Sequence, residues 1–325
     1  MISEALQKKI EHSYNILRLA SKMSNLYYQA PLILTYSGGK DSDVMAQLAI
    51  ECLKPSDFEI LNSHTSVDAP ETVYYIRERF KEWSVCGIKC TVQIPRFADG
   101  TQKTMWNLIP KAGPPTRLKR FCCAELKEMQ IPNRFLAVGV RQSESNGRKG
   151  RNVFATRGET KKNAYYYYYY SHIKEQFENS EKLRAELGAQ PNDEDVYDCK
   201  FIQQAKENKL LYCNPIYEWT DNDVWDFIRD RGMKYNPLYD CGFKRVGCVG
   251  CPMSTKRIQE LNRWPKYKEN YKRAFAKFNE YRKERGLYEM FDGDVDRMYA
   301  WWVQDKQIEG QLMFDENGNI TEYKP

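Results

Sequence analysis

Strands that alternate with helices, a glycine-rich turn between the first strand and its helix, and a 325-residue chain with 42% hydrophobic residues predict one fold class. It is an α/β protein with a doubly wound, mainly parallel sheet and a helical C-terminal part. Apolar residues at Leu6, Ile10, Tyr14, Leu17 and Met23 form a helical stripe, so residues 1–29 are expected as an N-terminal helix. Pro31–Tyr36 reads as the first strand, and Val44, Met45, Leu48, Ala49 and Cys52 mark the helix after the glycine turn. Further strands are expected at Phe58–Ser63, Lys89–Ile94 and Phe135–Val140, with helical patterns at Glu71–Trp83 and Pro115–Met129, and order is expected to return at Leu210–Cys213 after the insertion. In parallel sheets ligands bind beyond the carboxyl ends of strands, so the glycine turn and the segment after Val140 are expected to face one crevice.

Residues 30–245 are thus read as the nucleotide-binding domain, interrupted by a polar insertion at about 142–200 that holds the tyrosine run Tyr165–Tyr170. That run suits a β-prone edge segment better than a base-stacking surface, and no site role is assigned to it. Thr220-Asp221-Asn222-Asp223 has the form of a capping box opening a helix that buries Val224, Trp225, Phe227 and Ile228. Residues 246–325 are expected to supply helices from Arg257 to Trp302 and then a turn or loose tail from Asp315 to Pro325.

The formal net charge is +6, from 50 basic and 44 acidic residues, so the surface is mixed and does not choose between nucleotide, sulfated and nucleic-acid ligands. No stretch reaches the length of about 20 apolar residues that a membrane-spanning helix needs. The N-terminal stripe is no signal peptide, and the expected location is the cytoplasm. Ten cysteines in that compartment are ligands or buried thiols rather than disulfides.

In Ser37-Gly38-Gly39-Lys40-Asp41-Ser42 the glycines allow consecutive backbone N–H groups to close on an anion, and the next helix adds the positive end of its dipole. Lys40 would neutralise phosphate charge, with the Ser37 and Ser42 hydroxyls donating to phosphate oxygens. The alternative is a tight strand-to-helix turn with an exposed lysine. The spacing is not that of a Walker loop. The hexapeptide resembles the PP-loop of the N-type ATP pyrophosphatases, which split ATP between its α- and β-phosphates and adenylate a substrate.

A wider resemblance rests on His64–Thr72 (His-Thr-Ser-Val-Asp-Ala-Pro-Glu-Thr), on Gly139–Ser145 (Gly-Val-Arg-Gln-Ser-Glu-Ser) with Arg148, and on Trp225 through Asn236-Pro237-Leu238-Tyr239. Together they look like the phosphoadenosine phosphosulfate reductase family, with its adenine nucleotide α-hydrolase-like fold, over about Pro31 to Ser254. The resemblance implies that Asp68 lies near the nucleotide, where it could hold Mg²⁺ against phosphate, or else that it caps the helix starting near Glu71. It also implies that Arg141 and Arg148 bind anionic parts of the substrate, with Glu144 orienting them. Solvated loop charges are the alternative for these three.

Cys122-Cys123 and Cys248-Val249-Gly250-Cys251 supply four thiolates, which suit a [4Fe-4S] cluster, a structural zinc ion with Cys241 as a further ligand, or free thiols. The same Cys-Cys and Cys-x-x-Cys arrangement marks the cluster-bearing branch of the resembled family. Lys119 and Arg120 would offset the cluster's charge. Sulfonucleotide reductases of that branch attack sulfur with a cysteine in a C-terminal segment, and no cysteine follows Cys251. They also carry a degraded phosphate loop, whereas this one is intact. The resemblance therefore implies an adenylating enzyme like the cluster-bearing ATP pyrophosphatase of DNA phosphorothioation, with catalytic Lys40 and Asp68, an unidentified small-molecule or nucleic-acid acceptor and a sulfur-donor protein. Sulfonucleotide reduction and a nucleotide-responsive binding subunit without turnover are the two rivals.

Overall fold

The computed structural model describes residues 2–128, 134–144, 153–156, 211–304, 312–314 and 320–322. In chain order these form α1 (Glu4–Tyr28), β1 (Leu32–Thr35), α2 (Lys40–Cys52), β2 (Phe58–Ser63), α3 (Pro70–Val85), β3 (Lys89–Gln93), α4 (Met105–Ala112), β4 (Phe135–Ala137), β5 (Phe154–Thr156) and β6 (Leu211–Cys213). They continue with α5 (Asp221–Asp230), α6 (Arg257–Arg263), α7 (Pro265–Lys283), α8 (Val295–Gln304), β7 (Leu312–Phe314) and β8 (Ile320–Glu322). The chain divides into two units, one of residues 1–63, 70–93 and 131–246, the other of residues 64–69, 94–130 and 247–325.

The first unit is built on a six-stranded sheet of order β3-β2-β1-β4-β6-β5. Five strands are parallel, and β5 runs antiparallel to β6 at the edge. The direction of winding reverses between β1 and β4, which opens a crevice beyond their carboxyl ends. The sheet's central strands are largely apolar because helices cover them: Leu32, Leu34, Phe58, Ile60, Phe135 and Ala137 share one core with Leu6, Ile10 and Leu17 of α1. Tyr14, expected on that stripe, is only partly buried. Ser3 caps α1 by accepting the Leu6 N–H at 3.1 Å. In α5 the capping box forms as the sequence indicates, with Thr220 and Asp223 bonded reciprocally. Val224, Phe227 and Ile228 are buried, while Trp225 packs edge-on to Tyr235 and Tyr239.

Within the second unit α4 packs along α7, and a Cβ at Gly113, just past α4, would meet the Phe278 ring of α7 at 3.1 Å. The helix read over Pro115–Met129 is shorter: a single turn at Phe121–Cys123 opens into a π-helical turn at Ala124–Glu128. Pro114 and Pro115 lack N–H donors, and a turn closed by the Thr116 N–H on the Lys119 carbonyl at 3.2 Å separates them from Phe121. Within the expected tail, Ile320–Glu322 forms β8, which pairs antiparallel with β7. Most of the 142–200 insertion, with Tyr165–Tyr170 and Arg148, lies outside the described residues, but its Phe154–Thr156 segment is the edge strand β5.

Candidate functional site

The first constellation lies at the switch point of the sheet. β1 ends at Thr35, the chain turns through Ser37–Gly39, and α2 starts at Lys40. Gly38 has φ +72°, and a Cβ there would sit 2.8 Å from Ile76 Cγ1, so both backbone and packing demand glycine. Its carbonyl accepts the Asn236 amide at 3.0 Å, and the same amide reaches Thr72 Oγ1 at 3.1 Å. Gly39 is the N-cap of α2 and has no side chain to occupy the helix's first N–H groups. The Lys40 N–H is held by the Tyr239 hydroxyl at 3.0 Å. Ser42 donates its hydroxyl to the Gly39 carbonyl at 2.7 Å and faces Ser37 Oγ at 3.3 Å, so it braces the turn rather than projecting from it.

The segment after β4 meets this turn, as expected for two loops flanking a switch point. A Cβ on Gly139 would lie 3.2 Å from the Asp41 carbonyl. Arg141 is 3% exposed and orients its guanidinium by three bonds: Nε to Asp41 at 2.7 Å, one terminal nitrogen to Asp221 at 2.9 Å and the other to Ser143 at 3.1 Å. Glu144 accepts the Arg141 backbone N–H at 3.3 Å. Lys40, 4% exposed, places its ammonium 3.0 Å from Asp221, 3.8 Å from Asp41 and over the Tyr239 ring. Two nearly buried cations thus share two carboxylates. Burial pushes the Asp221 carboxyl up, but Lys40 and Arg141 more than reverse this and hold it below the usual carboxylate range. Asp221 itself is open to solvent, with 61% of its side chain exposed. Sequence reading took Asp221 only as part of a cap. Its three-residue spacing from Thr220 to Asp223 signals a helix start, and nothing local signals that it meets Lys40 and Arg141.

The second constellation collects the paired cysteines. Cys248–Cys251 forms a tight turn, closed by the Cys251 N–H on the Cys248 carbonyl at 3.2 Å. Gly250, φ +75°, lies against Tyr271 and Trp302, where a Cβ would come within 2.9 and 3.1 Å. Its N–H goes to Glu260 at 3.0 Å, the Tyr271 hydroxyl bonds the Val249 carbonyl at 2.9 Å, and Arg257 donates to the carbonyls of Cys251 and Pro252. Cys122 and Cys123 sit at the entry to the π-helical turn, and Arg120 donates to Cys123 Sγ at 3.3 Å. The Cys122 hydrogen bond holds the Cys123 thiol down to about 5, with Arg120 and Lys127 adding to it. The Cys122 thiol is raised by the same bond, by burial and by the charges of Cys123, Cys248 and Cys251, so all four sulfurs feel one another. Burial raises the Cys248 thiol against the pull of Lys127.

Asp68 belongs to this second unit. It pairs with Cys248 as an isolated β-bridge, accepts the Thr65 N–H at 3.1 Å and has Cys248 Sγ at 3.9 Å. Cys241, the extra ligand of the zinc reading, belongs to the first unit. Among the described residues no three or more His, Cys, Asp or Glu side chains close on a point that could hold a metal ion. The donor set nevertheless has the chemistry of a cluster site: four partly buried thiols on two tight turns, with Arg120 and Lys127 beside them. Among the described residues no helix is long and apolar enough to cross a membrane.

Comparison with known proteins adds family context. An uncharacterised protein of Methanocaldococcus jannaschii is 25% identical over 239 residues, 71% of this chain and 46% of that protein. The adenosine 5'-phosphosulfate reductase of Oceanobacillus iheyensis is 33% identical over 66 residues, 20% of this chain and 28% of the relative. The chain therefore matches less than half the length of these curated relatives. Among solved structures, the phosphoadenylyl-sulfate reductase of Candida auris covers 76% of this chain and 96% of its own, at 12% identity and a TM-score of 0.40. The U34-tRNA thiolase NcsA of Methanococcus maripaludis with its [4Fe-4S] cluster covers 84% of this chain and 81% of its own, at 16% identity and a TM-score of 0.38. The phosphoadenosine phosphosulfate reductase domain model matches residues 31–254, more than two thirds of the chain and both constellations, so the chain belongs to that family.

Proposed function

We propose that the chain is an ATP pyrophosphatase that adenylates an acceptor, and that it serves sulfur transfer with a [4Fe-4S] cluster held by Cys122, Cys123, Cys248 and Cys251. The observation that carries the reading is the intact Ser37–Ser42 loop at a sheet switch point, with Lys40 and Arg141 converging beside the N-terminus of α2, whose N-cap Gly39 has no capping side chain. Such a loop binds a polyphosphate through backbone N–H groups, and Lys40 and Arg141 neutralise charge as it builds on the α-phosphate and the departing pyrophosphate. Both cations are pre-oriented by Asp41 and Asp221, so little reorganisation accompanies the reaction. A cluster would supply a redox-active or sulfur-binding iron centre. Arg120 and Lys127 would offset its negative charge.

The test is anaerobic incubation with Mg²⁺, α-labelled ATP and candidate acceptors including tRNA, DNA and small sulfur compounds. Acceptor-dependent release of AMP and pyrophosphate is expected, and Lys40→Ala should lower it by about 10²–10³-fold, the usual cost of one charge-stabilising group. Turnover unaffected by Lys40→Ala would overturn the reading. The family match favours a second reading, sulfonucleotide reduction. Release of sulfite from adenylyl or phosphoadenylyl sulfate with a thiol reductant, and no pyrophosphate from ATP, would establish it instead.

A further inference from the structure

Tyr36 directly precedes the phosphate loop and Asp43 directly follows it. The two are buried, at 3% and 0% exposure, and the Tyr36 hydroxyl donates to Asp43 Oδ1 at 2.5 Å, which ties the two ends of the loop together. Tyr36 is itself fixed: its carbonyl accepts the Asn62 amide at 2.8 Å, and its ring packs on Phe80 and Trp83. Asp43 Oδ2 has no hydrogen-bond partner although it is buried, the Tyr75 hydroxyl being turned to the Lys234 carbonyl at 3.0 Å. Arg79 is already bonded to Glu82 at 2.5 Å and stacked on Trp83. Facing Asp43 are therefore Tyr36 from the end of β1, Asp41 from its own helix, Tyr75 and Arg79 from α3, and Tyr239 from beyond α5. None of them gives the carboxyl a dedicated counter-charge.

We infer that Asp43 is a positioning residue of the phosphate loop, tying its two ends together through Tyr36, and that ionisation of its buried carboxyl opposes triphosphate binding by charge repulsion. The inference rests on the reading of the loop as a phosphate site. A single charge-bearing carboxylate at this depth, one helical turn from the loop, is costly in itself and repels phosphate. Burial raises the Asp43 carboxyl to about 7, against the partial opposition of Tyr36, Tyr75 and Arg79. Because the pKa is higher in the folded chain, the stability tied to this group is full below the ordinary carboxylate range and is lost as pH rises through about 7. By reciprocity, protonation strengthens triphosphate binding and triphosphate binding takes up a proton.

The experiment measures Mg²⁺-ATP affinity from pH 6 to pH 8.5 for the wild type, Asp43→Asn and Tyr36→Phe. Titration of ATP itself is common to all three and cancels in their ratios. The ratio of wild-type to Asp43→Asn dissociation constants should rise by about tenfold across the range, the equivalent of one unit of coupled pKa change. Tyr36→Phe removes the bond that favours the ionised acid and should move the wild-type transition to higher pH, a signature that holds even if Asp43→Asn folds poorly. A constant ratio together with an unmoved Tyr36→Phe transition overturns the inference and leaves the loop as a phosphate site. Failure to bind ATP at any pH overturns the loop reading and this inference with it.

Discussion

The phosphate loop and the cysteine turn are both tight, glycine-dependent turns, but they are finished in opposite ways. Around the loop the two cations already have partners, with Lys40 and Arg141 locked onto Asp41 and Asp221. Around the cysteine turn the backbone is braced by Glu260, Tyr271 and Arg257, while the four thiols are partly buried and none has a carboxylate or cation locked onto it as an ion pair like those of the loop. A polyphosphate arrives and leaves at each turnover, so its site must be stable without it. A resident cluster completes its own site, so the protein there needs only to fix the turns.

That contrast can be broken at the cysteines first. Protein made with iron under anaerobic conditions should contain about four irons per chain, and Cys122→Ser or Cys251→Ser should reduce this to near background. Cys52→Ser should leave iron unchanged, because that thiol is a half-buried side chain of α2 that burial pushes up to about 12. Equal losses in all three variants, read by iron content and the visible spectrum, would remove the second site.

The loop's charge network gives the next largest effect. Asp41→Ala leaves nearly buried Arg141 short of its closest carboxylate and should cost about 3–5 kcal/mol in chemical denaturation, as for a broken buried pair. Asp221→Ala removes a carboxylate that is mostly in solvent and should cost about 1 kcal/mol or less. Similar losses would show that exposure does not set the strength of these bonds. A smaller and more even effect is expected from the glycines: Gly38→Ala and Gly250→Ala both meet side chains at under 3.0 Å with positive φ, and each should cost about 1–3 kcal/mol. Only the first should weaken ATP binding and only the second should lower iron content, and a crossed result would contradict the division of labour.

How much of this was legible in the sequence depended on range. β2 was readable to the residue and β1, β3 and β4 to within a few, because apolar runs bounded by turns carry their own signal. The Ser37–Ser42 loop was readable because its chemistry lies in six consecutive residues. Asp221, Tyr239 and Asn236 were not readable as partners of that loop, since their contacts with it span 181 to 199 positions and leave no local pattern. The Pro115–Met129 segment misled because its apolar spacing resembles a helix, whereas Pro114 and Pro115 at its start delay the helical turn to Phe121. β5 escaped because a three-residue edge strand inside a polar insertion has no periodicity to detect.

The Asn236 and Tyr239 contacts to the loop also have a consequence in time. During synthesis the Ser37–Ser42 segment leaves the ribosome long before the residues that hold its Gly38 carbonyl and Lys40 N–H. At about 5–20 residues per second the interval is on the order of 10–40 s. A nascent chain in that interval has its phosphate-binding motif but not its geometry. On the proposed reading of the loop, nucleotide occupancy would report that the sheet has been completed through its last parallel strand and that the segment beyond α5 has docked. ATP would act on newly made chains as a check on finished folding.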